Sequence, residues 1–170
     1  MKKIVNNKDS LEEKDINNII KRAKIVLINS NNEIILANAL NTYFLVGGRV
    51  EENESDIETL KREMLEESGI ILKEDNLKPF CSVIHLKKDY PEKDINTKYI
   101  ANYYYLKIDD KIDYNKIKLT EEEKENNFKL SYVHIDKIID ILKENMEVTI
   151  RPTVVKDTLN AIEEFIRIYK

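Results

Sequence analysis

The 170 residues contain one cysteine, three glycines and three prolines, and no apolar run approaches the roughly 18 to 20 residues of a membrane-spanning helix. A lone Cys81 cannot build an intrachain disulfide framework, which fits a reducing compartment, and the expected location is cytoplasmic. So little glycine and proline excludes collagen-like and low-complexity chains, and no stretch reads as an inter-domain linker. Nor is there an excess of positive charge. The formal net charge of −4 gives no general pull toward long nucleic acids or anionic membranes, so a polyanionic substrate must be met by local cations or by metal. Met1, Lys2 and Lys3 look like the charged start of a signal peptide, but NNKDSLEEKD follows where the apolar core of a leader belongs.

At 42% hydrophobic and 35% charged residues, the composition is that of a globular protein with one core. The expectation is one domain over residues 1–170, with 1–21 as an N-terminal extension and 135–170 as C-terminal helices. The apolar positions Leu11, Ile16, Ile19 and Ile20 fit a helical turn or a strand equally well. From Ala23 the chain reads as β: AKIVLI, the turn residues Asn29 to Asn32, then EIILANAL, which together predict a hairpin. A third strand, TYFLV, leads to Gly47-Gly48. PFCSVIHL and YIANYYYLKI form a second predicted hairpin across the charged loop KKDYPEKDINTK. Residues 109–127 read as an acidic connection, FKLSYV as a last strand, and IDKIIDIL and residues 153–169 as amphipathic helices. This order is that of an α+β domain.

The chain is organised around residues 48–70, GRVEENESDIETLKREMLEESGI. Ser55 and Glu58 have the S-x-x-E spacing of a capping box, which predicts a helix from Asp56, and Gly69 can take the left-handed conformation that ends one. At about 100° per residue, Glu63, Glu66 and Glu67 share one sector and Ile57, Leu60 and Met64 the next. Three carboxylates crowded on one turn repel one another, so their placement makes most sense around a cation. Oxygen donors suit a hard ion, Mg²⁺ or Mn²⁺. Arg62 can reach Glu58 or Glu66 along the helix, or Glu54 in the preceding loop as a bidentate partner.

The same stretch resembles the Nudix box, Gx5Ex7REUxEExGU with U aliphatic, matching every fixed position at Gly48, Glu54, Arg62, Glu63, Met64, Glu66, Glu67, Gly69 and Ile70. The resemblance implies a mixed sheet between helices and hydrolysis of a nucleoside diphosphate linked to another group, by attack of water on phosphorus with Mg²⁺ as cofactor. By position in the box, Glu63 and Glu67 are the principal metal ligands, and Glu66 is a third ligand or the partner of a ligand water. Glu54 and Arg62 orient them, which makes Glu54, Arg62, Glu63 and Glu66 the catalytic set. Gly47, Gly48 and Arg49 are candidates for substrate contact. The general base stays open between a box glutamate and Glu121, Glu122 or Glu123. Val46 replaces a proline common before the glycines, and Tyr132 a tryptophan common near the final strand, which leaves the substrate open. The resemblance implies a small nucleotide partner, a nucleoside triphosphate or a nucleotide sugar, and allows a homodimer. A non-catalytic nucleotide sensor and an RNA 5′-end pyrophosphohydrolase are the alternatives.

Overall fold

The computed structural model describes residues 1–75 and 77–169. Among these are the strands β1 (Lys2–Asn6), β2 (Asn18–Ile28), β3 (Glu33–Ala39), β4 (Thr42–Leu45), β5 (Cys81–Lys87), β6 (Thr97–Lys107) and β7 (Lys129–His134). The helices are α1 (Asp56–Ser68), α2 (Glu121–Glu125), α3 (Ile138–Val148) and α4 (Pro152–Tyr169). The strands form one mixed sheet in the order β1-β5-β6-β2-β3-β4, with β7 on the remaining side of β3.

Alternation along β2 decides the layering. Ala23, Ile25 and Leu27 point to a core shared with Leu60 and Met64 of α1, whereas Val26 and Ile28 point to one shared with α3 and α4. Helices therefore cover both faces, and the architecture is α+β as expected. On the second face Phe165 of α4 is fully buried, its ring 6.0 Å from Phe80, 5.5 Å from Tyr105 and 5.0 Å from Tyr169. Tyr104 faces the other way and donates its hydroxyl to Asp56 at 2.7 Å. The run of three tyrosines is thus spent on packing and on anchoring α1.

The strand pairing departs from the sequence reading in one important respect. β2 and β3 meet as a hairpin only at Ile28↔Ile34. The long partner of β2 is β6, parallel and in register from Asn18↔Thr97 to Ile28↔Lys107. β3 pairs instead with β4 and β7. The reason lies just beyond β4: Ile25 N–H donates to the Val46 carbonyl at 3.0 Å and Ala23 N–H to the Gly48 carbonyl at 3.1 Å, so residues 46–48 take the edge of β2 that a longer hairpin would need. The β5–β6 hairpin forms as expected.

Residues 2–6 form an edge strand parallel to β5, a single 3₁₀ turn covers Glu13–Asp15, and β2 begins at Asn18 rather than at Ala23. The acidic connection holds the short helix α2, N-capped by Thr120. α3 starts three residues later than the pattern suggests, because the Ile135 N–H donates to the Asn32 carbonyl at 2.8 Å and residues 135–137 form a turn. Lys170, last in the expected C-terminal helical segment, lies outside the described residues.

Phe165→Ala should lower the unfolding free energy by about 3–5 kcal/mol in urea titrations, since it empties a closed aromatic site. Ile19→Ala, at a side chain 56% exposed, should stay within about 0.5 kcal/mol of the parent.

Candidate metal centre

The helix that carries the box is fixed at both ends. Ser55 Oγ accepts from the Glu58 N–H at 3.2 Å, and Glu58 Oε2 accepts from the Ser55 N–H at 2.7 Å, which completes the capping box. Gly69 closes the helix at φ 70°, in the left-handed region. Leu60 and Met64 are fully buried against β2. With that stripe locked, the sector holding Glu63 and Glu67 is turned toward the Gly47-Gly48 loop.

The loop is shaped around these carboxylates. Gly47 has φ 120°, and a Cβ there would lie 2.3 Å from the Ala23 carbonyl oxygen, so no other residue fits this approach to β2. Its N–H donates to Glu67 Oε2 at 3.2 Å. A Cβ on Gly48 would lie 1.8 Å from Glu63 Oε1. The missing side chain is the space that the Glu63 carboxylate occupies.

Arg62 ties the loop to the helix. Its Nε donates to Glu54 Oε1 at 2.8 Å and its Nη2 to Glu54 Oε2 at 2.9 Å, a planar two-point pair. Nη1 donates to Glu63 Oε1 at 2.7 Å and lies 3.6 Å from Glu66 Oε2, and Nη2 also reaches the Arg49 carbonyl at 3.2 Å. Of the alternatives weighed from sequence, the guanidinium takes Glu54 and leaves Glu58 to the cap. Glu54 also accepts from Thr59 Oγ1 at 2.8 Å. The Arg62 hydrogen bonds, aided by backbone and Thr59 donors, pull the Glu54 carboxyl down to about 2.

Glu67 has the opposite environment. It is 5% exposed, and burial pushes its carboxyl up to about 7, partly offset by the charge of Lys24 and reinforced by the like charge of Glu63. Glu66, with 46% of its side chain exposed, faces outward, whereas Glu63 keeps 13%. Arg49 is exposed and contributes its carbonyl to the network.

Among the three later glutamates, Glu123 is the one whose charge bears on Lys24 and Glu67. Its carboxylate is occupied at the start of α2, accepting from Thr120 N–H at 2.6 Å and Thr120 Oγ1 at 2.9 Å. Glu121 is paired with Lys124 at 2.6 Å.

Lys24 escaped the sequence reading. It sits partly buried in an apolar strand, donates Nζ to the Gly47 carbonyl, and lies 5.2 Å from the centre of the Phe44 ring. Burial brings its ammonium down to about 8, against the pull of Glu67. Its only signal was a lysine between Ala23 and the apolar run Ile25 to Ile28. Beside Glu67 opens a cavity of about 490 Å³ lined by Tyr114, Leu119, Lys124, Phe128 and Lys129. Among the described residues no group of three or more His, Cys, Asp or Glu side chains is placed to hold a metal ion. Among them, too, no helix is long and apolar enough to cross a membrane.

The chain belongs to the Nudix family: the family model for the NUDIX domain matches residues 19–154. Proteins of this family are hydrolases of phosphorus-containing anhydrides, and the mixed sheet with its loop-helix-loop site is the Nudix fold. Similar solved structures include the NUDIX domain of Shewanella oneidensis NrtR complexed with ADP ribose, with a TM-score of 0.62 and 14% identity over 95% of each chain. A MutT protein from Methanosarcina mazei Go1 has a TM-score of 0.56 and 21% identity, over 95% of this chain and 99% of the other. The C. elegans Ap4A hydrolase, in a binary complex, has a TM-score of 0.53 and 13% identity over 88% and 97%. At these identities the likeness is one of fold. No curated protein matches by sequence.

Glu54→Gln should destabilise the protein at neutral pH. Because the folded carboxyl is depressed, its contribution is fully present above the ordinary value of 4.5 and is lost as pH falls through about 2. Thermal melts from pH 7 to pH 2 should therefore show wild type and variant converging toward the acid end, with the whole difference already present at pH 6.

Proposed function

We propose that this chain is a divalent-metal-dependent pyrophosphohydrolase that cleaves a phosphoanhydride bond in a small nucleotide of the nucleoside triphosphate or nucleotide sugar type. The observation that carries the reading is the placement of Glu63 and Glu67, one turn apart on a capped helix, each set against a glycine of the Gly47-Gly48 loop. The donor set suits Mg²⁺ or Mn²⁺. It is all carboxylate, Gly48 leaves the room that Glu63 fills, and Glu67 is a buried acid whose counter-charge is incompletely supplied. Among the described residues Glu63 and Glu67 each keep a second oxygen without a hydrogen-bond partner.

A divalent cation held there would neutralise the pyrophosphate oxygens and acidify the attacking water. The side chains supply the rest. Glu63 and Glu67 hold and orient, and Arg62, anchored on Glu54, fixes the direction of Glu63. Glu66 is the open box carboxylate, only loosely tied to Arg62, and is placed to take the proton as water adds to phosphorus and the bridging oxygen departs with the leaving phosphate. Glu123, committed to Thr120, is the weaker candidate for that task. The cavity beside Glu67 offers Phe128 and Tyr114 to a flat group and Lys124 and Lys129 to phosphates. Its size suits a mononucleotide-sized ligand better than a polymer.

The test is release of phosphate or pyrophosphate from nucleoside triphosphates, nucleotide sugars, ADP-ribose, dinucleoside polyphosphates and 5′-triphosphorylated RNA, with Mg²⁺ and with chelator. Metal-dependent turnover of a small nucleotide is expected, with Glu67→Gln reduced to background and Arg62→Ala lowered about 10- to 100-fold. Saturable binding without turnover would replace the enzyme by a sensor, and turnover of RNA alone would move the substrate to 5′ ends.

A further inference from the structure

Lys24 is a cation that the box chemistry does not use. By the alternation of β2 its side chain leaves the strand on the face opposite Ala23 and Ile25 and lines a small cavity with Phe44, Tyr99, Tyr103 and Asp157. Placing an ammonium there costs stability unless something charged answers it. Asp157 is held by His85, and Nζ turns instead toward the metal centre. Nζ is bound to the Gly47 carbonyl, and the N–H of the same glycine holds Glu67. Arg62 is already taken by Glu54 and Glu63 and Lys124 by Glu121, while Lys129 lines the cavity beside Glu67. Lys24 is the cation tied to the loop that holds Glu67, and it acts across the Gly47 backbone rather than by contact: among the described residues no ion pair within 4.0 Å joins the two.

We infer that Lys24 is the resident counter-ion of the metal centre, a positioning residue that pins the Gly47-Gly48 turn and balances Glu67 while no divalent cation is bound, and that weakens the binding of that cation. The inference rests on Glu67 being a metal ligand. Its sign follows from charge alone. A positive group fixed near a carboxylate stabilises it when empty and repels a dication that shares it. Lys24 keeps the site folded before loading and limits how tightly it loads. A lysine serving only to fill the strand would leave metal affinity unchanged when replaced by an apolar residue of similar length.

The experiment is a Mn²⁺ titration read by the electron paramagnetic resonance of the free ion, paired with thermal melts in EDTA, all at one fixed pH. Lys24→Met should bind Mn²⁺ at least about tenfold more tightly than wild type and melt at a lower temperature in EDTA. Lys24→Arg should restore the weaker binding. In a Glu67→Gln background the melting penalty of Lys24→Met should shrink, because the carboxylate it balances is gone. Unchanged or weaker Mn²⁺ binding by Lys24→Met overturns the inference, as do additive losses in that cycle. Lys24→Gln serves in both measurements if the methionine variant does not fold. Nucleotide turnover enters neither readout, so a failure of the hydrolase reading is seen separately. Absence of Mn²⁺ binding by wild type, or binding undiminished by Glu67→Gln, removes the metal centre and the inference with it.

Discussion

Glu67 is an acid folded into a place where acids are costly, and the surrounding structure is arranged to keep it there. Burial alone would leave it protonated or drive it out. A backbone N–H from Gly47 and the charge of Lys24 offset part of that cost. Both depend on residues 46–48 lying along β2, and that in turn displaces β3 from all but the end of β2. The positive φ at Gly47, the hydrogen bond to Glu67 and the short β2–β3 pairing thus all go with one run of chain, residues 46–48 along β2. Glu54 is the complementary case. Held by a two-point guanidinium pair and a threonine, its carboxyl is drawn down while burial pushes that of Glu67 up, so two acids of one motif are driven in opposite directions by their surroundings.

Such a site needs a frame that does not yield, and the two-faced core provides it. Leu60 and Met64 lock α1 to one face of β2, while Phe165 and its aromatic neighbours lock α4 to the opposite face of the sheet. Asp56, at the first turn of α1, accepts from Tyr104 and from Asn102 Nδ2 at 2.8 Å, which ties the start of the helix to β6. On the far face His85 is bound to Asp157 at 2.8 Å, which ties α4 to β5. Neither histidine nor aspartate has a place in the metal chemistry. Their pairing joins strand to helix.

How much of this could be read beforehand depended on range. The box is a local object, with its cap, its stop and its carboxylates within one helix and the loop before it. Its limits in the folded chain, Asp56 and Gly69, are those the capping residues imply. The β5–β6 hairpin was equally legible, being closed by a single loop. The parallel pairing of β2 with β6 was not, because it joins Asn18 to Thr97 and leaves no mark in the local pattern of either strand. The apolar run after Ala23 announced a strand but not its neighbour. Sequence spacing does separate Glu66 from Glu67: on the wheel Glu67 falls within about 20° of Leu60, on the stripe that is buried, and Glu66 about 120° away, where it faces outward.

Lys24 shows the same limit more sharply, and it also bears on how the site is poised. A helical wheel groups acids, but it has no means of finding the cation that answers them from a strand 43 positions earlier than Glu67. Counted in three dimensions, the centre holds Glu54, Glu63, Glu66 and Glu67 against Arg62 and Lys24, an excess of two negative charges when all are ionised. That excess equals the charge of one divalent cation. The folded chain tolerates the imbalance because Glu67 rises to about 7 and so is partly protonated near neutrality, and because Glu66 lies toward water, where charge is weakly felt. The empty centre keeps a residual negative charge, which a divalent cation on Glu63 and Glu67, as the proposed function requires, would answer.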